Sequence, residues 1–292
     1  IFLLTFSILS AQTQDPSSIY RKERDRINNL VHTKLKVDFN FQEKQLNGEE
    51  WVTLTPHFYP TNKVVLDAKA MLIETITLNN QKPTQVWTQG QTEANSCWFP
   101  TIDSPNQKTS QEIAITVPER FKTLSNGELE KQIKNPNSTR TDYWSLKEKH
   151  APYLFFMGIG EYEIIEDTYK NIPVNYYVEK EYASVAKDIF GLTPEMIGFF
   201  ADKVGIEYPW NAYNQIVVRD YVSGAMENTT AVVHGQKAQQ MKGQLIDKNH
   251  QESIIAHEVF HHWFGNLVTS ESWSNLALNE SFASYGEYLW RE

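Results

Sequence analysis

The hydrophobic and polar positions follow one period before residue 180 and another after it. From His32 onward, Thr33, Leu35, Val37 and Phe39 alternate with Lys34, Lys36, Asp38 and Asn40, a period of two that predicts a strand with one buried face. Leu46, Asn47 and Gly48 predict a turn, and 50–60 (EWVTLTPHFYP) the returning strand. Segments 64–68, 72–78, 112–117, 143–146, 154–160 and 162–166 continue as short apolar runs between Asn, Gly and Pro turns. Together they predict one or two antiparallel sheets. The polar stretch 134–142 (KNPNSTRTD) predicts an exposed loop, and 17–29 a short helix with a solvated face.

After 173–181 (PVNYYVEKE) the pattern turns helical. Residues 183–190 and 193–204 predict helices, the second with Thr193 as N-cap and Pro194 at the first helical position. Residues 214–219 predict a strand, and 224–228 (GAMEN) and 231–235 (AVVHG) strand or edge segments. The expected organisation is α+β, with an amino-terminal antiparallel β domain over 12–180 and a second domain over 181–292.

Within the second domain, 251–266 (QESIIAHEVFHHWFGN) carries apolar residues around nearly every face of a helical wheel, which predicts a helix buried on all sides. His257, Glu258 and His261 interrupt that apolar run, and buried ionisable groups are costly unless something pairs with them. Four residues advance a helix by about 400°, so His257 and His261 project from one side, a turn apart. This H-E-x-x-H spacing lets two imidazoles share a metal ion, with Glu258 beside them as a general base. The competing interpretation is a core helix with two hydrogen-bonded histidines. Glu280 follows with eighteen residues between, and its helical neighbours Leu276, Ala277, Ala283 and Ser284 point it toward an apolar environment. Gly265 and Asn266 supply a helix end, and a loop through Ser272 and Ser274 can start the next helix. Two histidines, one glutamate and an open fourth position describe a catalytic zinc site.

Composition narrows the field. The 292 residues suffice for two domains, and 40% hydrophobic and 13% aromatic content suit a globular chain. A formal charge of −9 argues against a general nucleic-acid or anionic-membrane binder, which needs excess Lys and Arg. Cys97 stands alone, so no internal disulfide is expected. The first residue is Ile, and 1–11 (IFLLTFSILSA) form an uncharged apolar run, too short to span a membrane. It fits the hydrophobic region of a signal peptide cut after Ala11, so an exported protein, periplasmic or extracellular, is expected. With a chain that stops at Glu292, soon after Glu280, a piece of a longer protein is expected as well.

HEVFHHWFGNLVT at 257–269, LNESFASY at 278–285 and SGAMEN at 223–228, in this order and separation, resemble the gluzincin zinc aminopeptidases of the aminopeptidase N and leukotriene hydrolase type. YPW at 208–210, CWFPTIDSPNQK at 97–108 and TLSNG at 123–127 extend the resemblance over nearly the whole chain. It departs at Asn275, Ala277 and Ser281, where many members have aspartate, tryptophan and glycine. The resemblance implies that 181–292 form the first part of a thermolysin-like peptidase domain, with one zinc ion held by His257, His261 and Glu280. Glu258 then activates water, and the partners are peptides with a free amino terminus. It further implies that Gly224, Ala225, Met226, Glu227 and Asn228 bind substrate, Glu227 pairing with the α-amine. A second amine anchor is expected in 91–100 (QTEANSCWFP), where Glu93 is the candidate although it stands two residues nearer Phe99 than the family spacing. His262 is expected to be a packing residue. The family's oxyanion-stabilising tyrosine is expected beyond Glu292, so residues 1–292 alone should be nearly inactive. Three alternatives stay open on these residues: a non-catalytic peptide-binding relative, an endopeptidase and an epoxide hydrolase.

Overall fold

A computed structural model describes residues 28–40, 42, 45–57, 84–246 and 248–292. The apolar run at 1–11, residues 17–27 of the helix expected at 17–29 and the strands expected at 64–68 and 72–78 lie outside the described residues; Asn28 and Asn29, the end of that expected helix, pair with Pro56 and Thr55 in a strand instead. The chain divides into two compact units, 1–67 and 68–292.

In the first unit, β1 (Asn28–Asn40) and β2 (Gln45–Pro56) pair antiparallel. Asn40 faces Gln45 and Val37 faces Gly48, so Leu46, Asn47 and Gly48 belong to the strand and not to a turn. Cross-strand pairing overrides their weak β preference. The alternation from Thr33 is present in the sequence, but Leu35 and Val37 are exposed, so the face expected to be buried is not.

The second unit opens with small antiparallel sheets. They are built from β3 (Gln85–Trp87), β4 (Thr109–Pro118), β5 (Lys122–Ser125), β6 (Glu128–Lys134), β7 (Thr139–His150) and β8 (Met157–Gly160). Their orders are β3-β8-β5 and β4-β7-β6. The loop expected over 134–142 shrinks to four residues, because Lys134 already pairs with Arg140 across the β6–β7 hairpin. Arg140 reaches Asp142 through two hydrogen bonds of 2.6 and 2.8 Å, and Thr123 of β5 donates to the same carboxylate at 2.7 Å. This buried pair joins the two three-stranded sheets.

Next come β9 (Glu163–Tyr169), β10 (Ile172–Val178), α1 (Ala186–Phe190), α2 (Thr193–Val204), β11 (Tyr213–Val218), β12 (Ala225–Met226), β13 (Ala231–Gly235), α3 (Glu252–His261) and α4 (Ala277–Arg291). Strands from both sides of residue 180 form one mixed five-stranded sheet, β12-β13-β11-β10-β9, parallel at β10–β11 and β11–β13. The strand YEIIE thus joins a mixed sheet, not the antiparallel sheets expected of the amino-terminal half. All six residues of β11 are buried, because both faces of this sheet are covered. On one face Tyr213, Val217, Val174 and Val232 pack with the apolar residues of α1, α2 and α3. On the other, Ile216, Val218, Tyr177 and Val233 pack with Leu124, Leu154 and Phe156 from the preceding sheets. The chain is therefore α+β, as its pattern predicts.

Two helix ends differ from expectation. Thr193 is the first residue of α2 rather than its cap; its hydroxyl bonds Phe190 O at 2.6 Å and accepts from Gln215 at 2.9 Å. Helix α3 stops at His261, five residues short of Asn266. Gly265 then takes φ +138°, and a Cβ there would lie 2.9 Å from His261 Nδ1, so glycine leaves the imidazole room. Among the described residues no helix is long and apolar enough to cross a membrane.

Candidate metal centre and peptide cleft

Helix α3 turns Ile254, His257, Glu258 and His261 into a cleft of about 510 Å³. These positions are three or four residues apart and share one side, while Ile255, Ala256, Val259 and Phe260 enter the core on the other. Helix α4 brings Leu276, Glu280 and Glu287 to the same cleft. Phe260 and Gly286 allow that approach: a Cβ on Gly286 would lie 2.6 Å from Phe260 Cγ.

His257 Nε2 and His261 Nε2 are 3.0 Å apart, and Glu280 Oε2 lies 3.4 and 3.5 Å from them. Ligand atoms around a tetrahedral ion with bonds near 2.0–2.1 Å stand about 3.3–3.4 Å apart. The remaining ring nitrogens fix the tautomers. His257 Nδ1–H donates to Glu287 Oε1 at 2.8 Å, and His261 Nδ1–H to Phe264 O at 3.0 Å. With both Nδ1 atoms donating, both Nε2 lone pairs face one point together with a carboxylate oxygen. Glu227, Glu258, Glu280 and Glu287 line the cleft without a Lys or Arg among the described residues lining it. The donor set and the surplus negative charge both fit a divalent cation, and His257, His261 and Glu280 form a group able to hold one.

The electrostatics agree. Burial lowers the His257 and His261 pKa values, but the surrounding carboxylates outweigh it and raise both. The neighbouring imidazoles, His257 first, hold Glu280 below the usual carboxylate range. Glu258 is buried and pushed well above that range, first by burial and then by Glu227, Glu280 and Glu287, against the pull of His257. Its Oε2 has no hydrogen-bond partner among the described residues.

The GAMEN segment forms the facing wall. Among the described residues β12 is the edge of the five-stranded sheet and pairs with β13 alone. Ser223, Gly224, Ala225 and Glu227 line the cleft. Met226 and Asn228 are buried; Met226 Sδ accepts from Gln89 at 3.5 Å. Asn266 Nδ2 donates to Glu227 O at 2.8 Å, tying this wall to the loop after α3.

Glu93 is exposed and does not line the cleft. Gln91, two residues earlier, takes that place, with Nε2 3.3 Å from Glu280 Oε1. A turn closed by Ala94 N–H to Gly90 O sets this orientation, and Asn95 anchors it to Pro152 O and Phe155 O. Glu287 was also missed, although it lies two helical turns past Glu280 on the same face. His262 turns away from the cleft, buried, with Nδ1 2.9 Å from Glu258 O.

Residues 74–154 match the peptidase M1 N-terminal domain, and 189–292 the peptidase family M1 domain. The chain is 32% identical over 200 residues to a glutamyl aminopeptidase of Bos taurus, covering 65% of this chain and 20% of that protein. It is 28% identical over 260 residues to aminopeptidase M1 of Arabidopsis thaliana, 85% of this chain and 29% of the relative. To aminopeptidase N of Mus musculus it is 32% identical over 201 residues, 65% and 21% respectively. The chain thus spans 20–29% of the length of these relatives. With both domains matched in order along the sequence, the chain belongs to peptidase family M1.

Proposed function

We propose that the protein is a zinc-dependent aminopeptidase that removes residues one at a time from the free amino terminus of peptides. The observation that supports it most is the meeting of His257 Nε2, His261 Nε2 and Glu280 Oε2 beside the unpartnered carboxylate of Glu258. Zinc bound by these three residues would supply a Lewis acid for the scissile carbonyl and make a water easier to deprotonate. Glu258 takes the proton from that water and returns it to the leaving amine. Glu227 pairs with the substrate ammonium by a charge-assisted hydrogen bond, which favours free amino termini over internal peptide bonds. The exposed edge of β12 offers backbone groups to an extended peptide. The relatives' names, glutamyl aminopeptidase and aminopeptidase N, agree with this chemistry. Export fits the apolar run at 1–11.

Metal analysis of the wild type should find close to one zinc per chain, and His261→Ala should sharply reduce it. Undiminished zinc in that variant would remove the metal assignment. Aminoacyl-arylamides should be cleaved and their amino-terminally acetylated equivalents should not. Equal cleavage of both would exclude an amine anchor.

A further inference from the structure

Tyr153 lies in the short turn Pro152–Leu154, remote in sequence from every cleft residue, and is 1% exposed. Its hydroxyl stands 3.3 Å from Glu227 Oε1, 3.3 Å from Gly265 O and 3.3 Å from Asn279 Nδ2. The amide of Asn279 can only donate from Nδ2, and its Oδ1 is already held by Ser270 N–H at 3.1 Å. The hydroxyl oxygen therefore accepts from Asn279, leaving one proton to give. Gly265 O already receives the Thr269 hydroxyl at 2.5 Å. Among the described residues Tyr153 is the sole hydrogen-bond donor to the Glu227 side chain, so the proton goes there.

We propose that Tyr153 is a positioning residue that fixes the Glu227 carboxylate relative to the metal-ligand helix and so sets the one-residue span between amine anchor and cleavage point. The proposal rests on Glu227 as the anchor of the substrate amine. Asn279 immediately precedes Glu280 on α4, so a single hydroxyl bridges the anchor to the residue beside a metal ligand. The backbone of Glu227 is held separately by Asn266; the hydroxyl acts on the carboxylate alone. One carboxylate oxygen is thereby turned toward Tyr153 and the other is left for the cleft. Burial, with Glu227 next in effect, holds the phenol far above its ordinary pKa, so Tyr153 remains a donor and never adds a second negative charge. Its ring meets Trp273 edge-on, centroids 4.9 Å apart, a contact that phenylalanine keeps.

The test compares the full-length protein with its Tyr153→Phe, Glu227→Gln and double variants on an aminoacyl-arylamide, with zinc content and thermal unfolding measured in parallel. Tyr153→Phe should raise KM about tenfold, the loss expected for one hydrogen bond to a charged group, and change kcat less. Glu227→Gln should raise KM at least as far, and the double variant should be no worse than Glu227→Gln alone, since the hydroxyl would have no anion left to hold. An unchanged KM in Tyr153→Phe with a raised KM in Glu227→Gln overturns the proposal and leaves the amine anchor standing. No effect from Glu227→Gln removes the anchor itself, and the proposal with it. Additive losses in the double variant, or lost zinc or lowered unfolding temperature in Tyr153→Phe, would show that the hydroxyl supports the structure at large and would also overturn it.

Discussion

Glu258 combines burial with an oxygen that has no hydrogen-bond partner among the described residues. Glu258→Gln keeps the volume and the hydrogen-bonding shape but cannot accept a proton. It should retain zinc by metal analysis and lose about 10²–10⁴-fold in kcat; near-normal turnover with zinc bound would assign the base elsewhere. At this scale the sequence is most informative where geometry is local. The separation of His257 and His261 by one helical turn needs no tertiary information, and the structure brings Glu280 to them. Gln91 and Tyr153 are different. Which residue of 91–93 faces the cleft depends on Asn95 holding the Pro152 and Phe155 carbonyls, and no period in the sequence records such a contact. Tyr153 reads simply as one aromatic in an apolar segment.

Among the elements, α3 and α4 carry the candidate metal ligands, and Gly286 of α4 packs against Phe260 of α3. A Cβ at that position meets Phe260 Cγ at 2.6 Å and Cβ at 2.7 Å, neither of which can swing aside as a flexible side-chain end would. Gly286→Ala should therefore push α4 outward. Overpacking of this kind costs about 1–3 kcal/mol, to be read from the shift in denaturant midpoint. Because α4 carries Glu280 and Glu287, zinc should also be lost more readily to a chelator. Unchanged stability and zinc retention would show that the two helices adjust without strain. The first helix was legible from an apolar run with a polar interruption; the burial expected on all its sides is not found, because Ile254, His257, Glu258 and His261 line the cleft. The helix ends were not legible. The α3 terminus is set by the space that the His261 ring takes from Gly265, and the start of α2 by the Thr193 hydroxyl turning back to Phe190 O.

At the scale of the second unit, the five-stranded sheet is a partition between two cores. β11 reads in the sequence as a short apolar run, which gives no hint of the layers on either side of it. That is why β9 reads as a continuation of the preceding sheets: alternation reports a strand, not its partners. Ile216 points into the core shared with those sheets, where its Cδ1 comes within 2.8 Å of a Cβ built on Gly158. Ile216→Ala should cost about 2–5 kcal/mol by leaving a cavity at this contact, measured by chemical denaturation. A loss below about 1 kcal/mol would mean that the two layers can close the gap.

The segment after β5 joins these layers at one point. Asn126 donates to Leu154 O at 2.8 Å and to Thr229 O at 2.7 Å and accepts from Phe156 N–H at 2.8 Å, while Gly127 N–H donates to the Thr230 hydroxyl at 2.6 Å. One asparagine thus grips the turn that presents Tyr153 and the strand end that follows Glu227. The consequence is a limit on modular exchange. A chimera that joins this amino-terminal half to a foreign second half would inherit the His and Glu cluster intact, yet the carboxylate corresponding to Glu227 would be held only if the newcomer also met Asn126 and Tyr153.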